Sequence, residues 1–268
     1  MKIRIISMIA LLGLTVACSS RSIPPSSMTG ISGVYEFVVT SNVTGGVTLI
    51  GAKLSANGAQ SGASGPSEVQ ILTLEKKNWY PNGVCAGSSP GQNSMAASLS
   101  GSNISLTFNQ GGNTLPGQGS LTGSTVTGNY SVTGSNCPDL LGTLYPVYVP
   151  PGSDSGGIVG NQVPPLAGAF YGTLNLPSGN DNVGLTLSED SSGTLTVSAV
   201  LAGPVDNGTF TFTGSAVGNI MSVSGTVNGQ ALSFFGYFDR AGAYTGMPNS
   251  MIVFNYSTLS KIGLLIRQ

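Results

Sequence analysis

Apolar residues fall at alternate positions through most of the chain. In residues 33–40, Tyr35, Phe37 and Val39 share one side of a period-two pattern, which predicts a pleated strand. Residues 47–54 and 68–77 repeat the pattern after the Gly45-Gly46 turn and a Gly/Ser/Ala-rich loop. Ile104, Leu106 and Phe108 alternate with Ser105, Thr107 and Asn109 as a half-buried strand does. The pattern continues around Leu121, Val126 and Tyr130, and residues 140–149 close this half of the chain. Residues 78–93, with Pro81-Asn82-Gly83 and Pro90-Gly91, read as irregular.

Residues 150–165 read as a linker. Paired prolines and glycines flank a stretch without periodicity, including Ser153-Asp154-Ser155-Gly156-Gly157. Strand patterning then restarts at Phe170 and Leu174, and continues through Leu185 and Leu187, and Leu195, Val197 and Ala199. Residues 209–213, 221–227, 231–238, 251–256 and 262–266 complete it. No apolar period near 3.6 lasts for a helix length beyond the first eighteen residues. The expected fold is all-β, with two successive antiparallel barrel-like or sandwich-like units over residues 33–149 and 166–268.

The restart has the form of an internal repeat. Gly33-Val34-Tyr35 matches Gly168-Ala169-Phe170, Asn103-Ile104 matches Asn219-Ile220, and Leu121-Thr122-Gly123 matches Val223-Ser224-Gly225. The offset falls from pair to pair, so the first unit carries extra residues, the 78–93 segment among them. The second unit has no cysteine but an aromatic run, Phe234-Phe235-Gly236-Tyr237-Phe238, whose burial is expected to replace a cross-link there.

The amino-terminal stretch differs in kind. Lys2 and Arg4 precede an apolar run from Ile5 to Leu14, which ends at Ala17-Cys18-Ser19-Ser20. A spanning helix needs about 20 apolar residues, so residues 1–17 read as a signal peptide. Ala17 directly before Cys18, with Leu14 and Thr15 upstream, resembles the lipobox of bacterial lipoproteins, although Thr15 stands where leucine is more usual.

That resemblance implies cleavage before Cys18, a diacylglycerol thioether on its sulfur and an acylated new amino terminus. Several acyl chains, each CH₂ contributing about 0.8 kcal/mol, would hold the protein on a membrane where one chain would not. Ser19, rather than Asp, implies outer-membrane sorting in a Gram-negative host. Residues 18–32, rich in Ser and Pro, then form a flexible tether. The alternative is a plain secretory leader with Cys18 as a free thiol. The whole chain also resembles, by composition, Gly/Ser/Thr-rich all-β envelope lipoproteins of bacteria to which no activity is assigned.

Charged residues make up 7% of the 268 residues, against about 25% in an average globular chain. The solvent face must therefore be built from hydroxyls and amides. Lys2 and Arg4 lie in the leader, so the mature chain is more acidic than the full chain's net charge of −1, and Lys76-Lys77 is its only adjacent basic pair. This excludes the basic patch of a nucleic-acid binder. Cys85 and Cys137 remain once Cys18 is lipidated. Export permits a disulfide between them, worth about 4 kcal/mol in the chain-entropy treatment.

The sequence contains no histidine. Ser-His-Asp and Cys-His catalysis lose their base, and His-based zinc sites lose their ligands. Ser153-Asp154-Ser155-Gly156-Gly157 superficially resembles the nucleophile motif of chymotrypsin-like proteases, but without a histidine it reads as turn chemistry. Acid/base work by two carboxylates is left, with Glu36, Glu68, Glu75, Asp139, Asp154, Asp181, Glu189, Asp190, Asp206 and Asp239 as candidates. Most lie beside Gly, Ser or Asn, where acidic side chains cap turns. Neither Asn180-Asp181-Asn182 nor Glu189-Asp190 has calcium-loop spacing, so no metal, cofactor or catalytic residue is expected. Trp79-Tyr80, beside Asn78 and Asn82, is the candidate ligand platform, either stacking on a glycan or peptide or tucked onto the core. The expected function is a membrane-anchored envelope lipoprotein with a non-catalytic structural or interaction role. The alternative is a surface protein that binds or hydrolyses glycans.

Overall fold

The computed structural model describes residues 31–42, 45–54, 69–75, 78–81, 94–110, 113–133, 153–176, 179–204, 206–255 and 261–267. The leader, Cys18, Cys85, Cys137 and residues 140–149, expected to close the first unit, lie outside these. The chain is all-β. Strands β1 (Gly33–Ser41), β2 (Val47–Leu54), β3 (Val69–Glu75), β4 (Asn78–Pro81), β5 (Ser94–Ser100), β6 (Asn103–Gln110), β7 (Asn113–Thr122), β8 (Thr125–Thr133) and β9 (Ser153–Gln162) form one antiparallel sheet in the order β4-β3-β2-β1-β9-β8-β7-β6-β5. Strands β10 (Gly168–Leu176), β11 (Gly179–Glu189), β12 (Thr194–Ala202), β13 (Asn207–Val217), β14 (Ile220–Val227), β15 (Gln230–Asp239), β16 (Ser250–Asn255) and β17 (Lys261–Arg267) close into a barrel in sequence order.

Each unit is a meander whose first strand pairs with both its second and its last. β1 lies between β2 and β9, as β10 lies between β11 and β17. The Gly33-Val34-Tyr35 and Gly168-Ala169-Phe170 matches occupy equivalent positions. Tyr35 is opposite Gln162 and Phe170 is opposite Arg267, with both glycines at positive φ and both rings buried. Counted from the carboxyl end, β6 corresponds to β14. The Asn103/Asn219 match is nevertheless displaced by one residue there, so Ile104 faces the first core and Ile220 faces outward. A one-residue shift moves a side chain to the opposite face. The Leu121/Val223 match falls on β7 and β14, which are not equivalent.

The linker reading of residues 150–165 does not hold for Ser153–Gln162. These residues form β9, which pairs along its length with β1 on one side and β8 on the other. The missing periodicity has a packing cause. Core-facing positions of β9 are Gly156, Ile158 and Gly160, and each glycine makes room for a neighbour's ring. A Cβ on Gly160 would stand 2.4 Å from the Phe37 ring, and one on Gly156 would stand 2.8 Å from Tyr130 and 1.8 Å from Thr40 O. The apolar volume belonging to β9 is thus supplied from β1 and β8. Only residues 163–167 separate the units, and they are tied down at Val163, which donates to Val34 O, and at buried Leu166. The irregular reading of residues 78–93 likewise gives way at Asn78–Pro81, which form the edge strand β4 against β3.

The barrel interior holds Leu174, Leu185, Val197, Leu201, Phe212, Val223 and Phe234, with edge-on ring pairs Phe170–Phe238 and Phe212–Phe234. About 10 Å³ is left unfilled among them, at the lower limit for a single water. Most outward positions on β11 and β12 are polar, with Asn182, Thr186, Ser188, Thr194, Thr196 and Ser198 beside Gly184, Val200 and Ala202. This is the opposite polarity to a lipid-facing barrel. The first sheet curls around its own core until Met95 and Ala97 of β5 pack with Ile50, Ala52 and Leu54 of β2.

A third cluster joins the units, made of Leu49 from β2 and Ile220, Phe235, Tyr237, Ile252 and Phe254 from the barrel. Inward and outward side chains of β15 are therefore both buried from Phe234 to Asp239. Half of the aromatic run fills the barrel and half seats it on the first sheet. At this contact a Cβ on Gly51 would lie 2.0 Å from Val217 O, and Gly218, at φ +65°, turns the β13–β14 hairpin beside it.

Candidate functional site

Glu36 projects from β1 toward the barrel, on the face opposite Tyr35 and Phe37. Its side chain is buried, with Oε1 accepting from Tyr237 Oη at 3.0 Å and Oε2 making no hydrogen bond within 3.5 Å among the described residues. Burial pushes its pKa up to about 7, against the lowering effect of Tyr237, Asn219 and the Arg240 charge, while Asp239 adds to the rise. Burial and the neighbouring Glu36 charge also raise the Tyr237 phenol well above its ordinary value, and Tyr244 is pushed up to about 12. Arg240 Nε donates to Asn219 Oδ1 at 2.8 Å and Nη2 to Pro164 O at 3.1 Å, with the guanidinium over the Phe238 ring.

The sequence candidates Glu36 and Asp239 thus come together, but both are buried. Asp239 accepts from the backbone amides of Ala243, Tyr244 and Thr245 and from the Thr245 hydroxyl. It holds the 240–249 loop closed. The remaining described carboxylates are committed in the same way. Asp154 accepts from Ser41 Oγ at 2.8 Å and Tyr130 Oη at 2.7 Å, tying β9 to β1 and β8. Asp181 accepts from the amide of Asp206, Asp206 from Asn228, and Glu189 from the amide of Leu166. Asp190 accepts from Ser192 and the amide of Thr194 in the β11–β12 turn. Among the described residues no three His, Cys, Asp or Glu side chains gather as metal ligands would.

The exposed feature with the shape of a site lies elsewhere, on the outer wall of the barrel. Pairing registers place Ile266 of β17, Tyr171 of β10, Gly184 of β11 and Val200 of β12 in one row across four strands. Ile266, Tyr171 and Val200 are 50%, 48% and 52% exposed on a wall otherwise rich in hydroxyls. The Tyr171 ring leans over Gly184, where a Cβ would stand 3.0 Å from its Cε1. The missing side chain at Gly184 leaves a groove of about 490 Å³ on this wall, lined also by Asn182, Thr186 and Ala202. Adjacent rows are mixed: Ala169, Thr186 and Ser198 stand on one side, and Thr173, Asn182 and Ala202 on the other, where Thr173 donates to Asn182 at 3.4 Å.

The Trp79-Tyr80 pair expected as a platform has its backbone in β4, at the sheet edge. The side chains of the pair lie outside the described part. Tyr171 escaped the sequence reading because it is a single outward aromatic beside the more obvious inward Phe170. Its partner Gly184 is brought to it only by register. No protein-family model, curated protein or solved structure matches the chain.

Proposed function

We propose that the chain is a bacterial envelope lipoprotein, anchored through acyl chains on Cys18 and carrying a non-catalytic structural or interaction body on the 18–32 tether. Ser19 favours the outer membrane as its address. The observation that carries the non-catalytic reading is the use made of the carboxylates. All seven whose side chains are described, Glu36, Asp154, Asp181, Glu189, Asp190, Asp206 and Asp239, accept hydrogen bonds that hold strands, turns or the two units together. A general acid or base needs hydrogen-bond reach to a substrate proton. The packed barrel interior supports the same reading, since a carrier would keep room there for cargo.

The anchor is tested by detergent-phase partitioning of the expressed chain and of Cys18→Ala, with mass spectrometry of the amino-terminal peptide. The native chain is expected in the detergent phase with a diacylglyceryl-modified Cys18, and the variant in the aqueous phase. Unchanged partitioning of the variant would contradict the anchor. Hydrolysis of any oligosaccharide or peptide by the purified chain would contradict the non-catalytic body.

A further inference from the structure

We propose that the groove beside Tyr171 is a binding site for a neutral glycan. The inference rests on reading the chain as an interaction protein, and it is independent of the anchor at Cys18. A sugar ring has an apolar face of C–H groups and a rim of hydroxyls. The groove offers the matching surface, with an apolar row of Tyr171, Gly184 and Val200 flanked by Asn182, Thr186 and Thr173. Gly184 matters twice, because its missing side chain lets the Tyr171 ring lie across β11 and leaves the space beside it. The volume, about 490 Å³, falls within the usual range for small-ligand sites, in which a few placed polar groups orient a mostly apolar contact.

Charge argues for the class of ligand. No Lys, Arg, Asp or Glu lines the groove, so nothing there would compensate an anionic sugar or a charged peptide. Size argues against a second copy of the chain. A stable interface buries about 800 Å² per partner, whereas the large exposed apolar side chains here are Ile266, Tyr171 and Val200 in a single row, with Thr186, Ser198, Thr173 and Asn182 in the rows beside it. A lipid tail would meet the same polar borders.

The test uses the full chain purified in detergent micelles, titrated calorimetrically with neutral gluco-, galacto-, manno- and N-acetylglucosamine oligosaccharides and with sialylated and sulfated ones. At least one neutral oligosaccharide is expected to bind. Tyr171→Ala and Gly184→Val are each expected to weaken that binding about tenfold or more, while Val159→Ala, at an exposed position of β9 in the other unit, leaves it unchanged. Thermal melting of each variant guards against misfolding, and Asn182→Ala, on an exposed side chain, gives a further variant within the groove with an expected loss of severalfold. The proposal is overturned by absence of binding to every neutral oligosaccharide, by binding that survives both Tyr171→Ala and Gly184→Val, or by tighter binding of the anionic set. It is likewise overturned if Tyr171 governs self-association in sedimentation while sugar does not bind. These outcomes leave the Cys18 result untouched, so the two failures are distinguishable.

Discussion

Tyr237 Oη donates to Glu36 Oε1 at 3.0 Å, joining the barrel to the first strand of the chain across 201 residues of sequence. The bond lies at the rim of the apolar cluster between the units, so proton state and unit contact are coupled. A buried carboxyl with one unpartnered oxygen favours its neutral form.

Stability should therefore depend on pH through Glu36. Its folded pKa, about 7, is above the ordinary 4.5. The unfolded chain thus ionises first as pH rises. The contribution is fully present below about 4.5 and is lost progressively as pH rises to about 7. A shift of that size corresponds to ~3 kcal/mol. Melting temperature is expected to fall across this window and then level off. Burial also raises the half-exposed Glu189, which adds slope of the same sign. Comparison with Glu36→Gln isolates the Glu36 share, since that variant should lose most of the slope and melt higher than the native chain at pH 8.

Replacing Tyr237 with Phe should cost about 1–3 kcal/mol in urea unfolding, the usual range for a buried polar group losing its partner. The cost should be larger above pH 7, where the carboxylate is charged, than at pH 5. A double-mutant cycle with Glu36→Gln should return a non-zero coupling. Additive effects would mean the two side chains do not interact.

Gly51→Ala should disturb the contact between the units more than either unit alone. The new methyl would meet Val217 O at 2.0 Å, and both groups belong to backbone that cannot rotate away. Overpacking of this kind costs about 1–3 kcal/mol. Faster proteolytic cleavage within residues 163–167, with secondary structure by circular dichroism unchanged, is the expected signature.

Asp154→Ala should destabilise by about 1–3 kcal/mol, because Ser41 Oγ and Tyr130 Oη lose their acceptor at once. Burial and the Asp154 carboxylate together raise the Tyr130 phenol, so its titration should move toward the ordinary range in the variant. Were Asp154 in a solvated linker, the change would stay within about 0.5 kcal/mol.

Period-two alternation is a property of neighbouring residues, so it could be read directly. Tyr35, Phe37 and Val39, or Leu195, Val197 and Ala199, announce their strands and their inward faces without reference to any other part of the chain. The all-β class and the hydroxyl-rich exterior follow from that local information. Whatever depends on a partner strand could not be read. β9 looks aperiodic because Phe37 and Tyr130 fill its glycine positions from adjacent strands.

The aromatic run Phe234–Phe238 announces burial, but only the packed structure decides that both faces are covered, the second by β1 and β2 with Glu36 against Tyr237. The row Ile266–Tyr171–Gly184–Val200 exists only in the register of four strands. The physical reason is range. Alternation records which way each side chain points, whereas a junction or a groove requires knowing what stands across from it, and that is set by chain closure over tens to hundreds of residues.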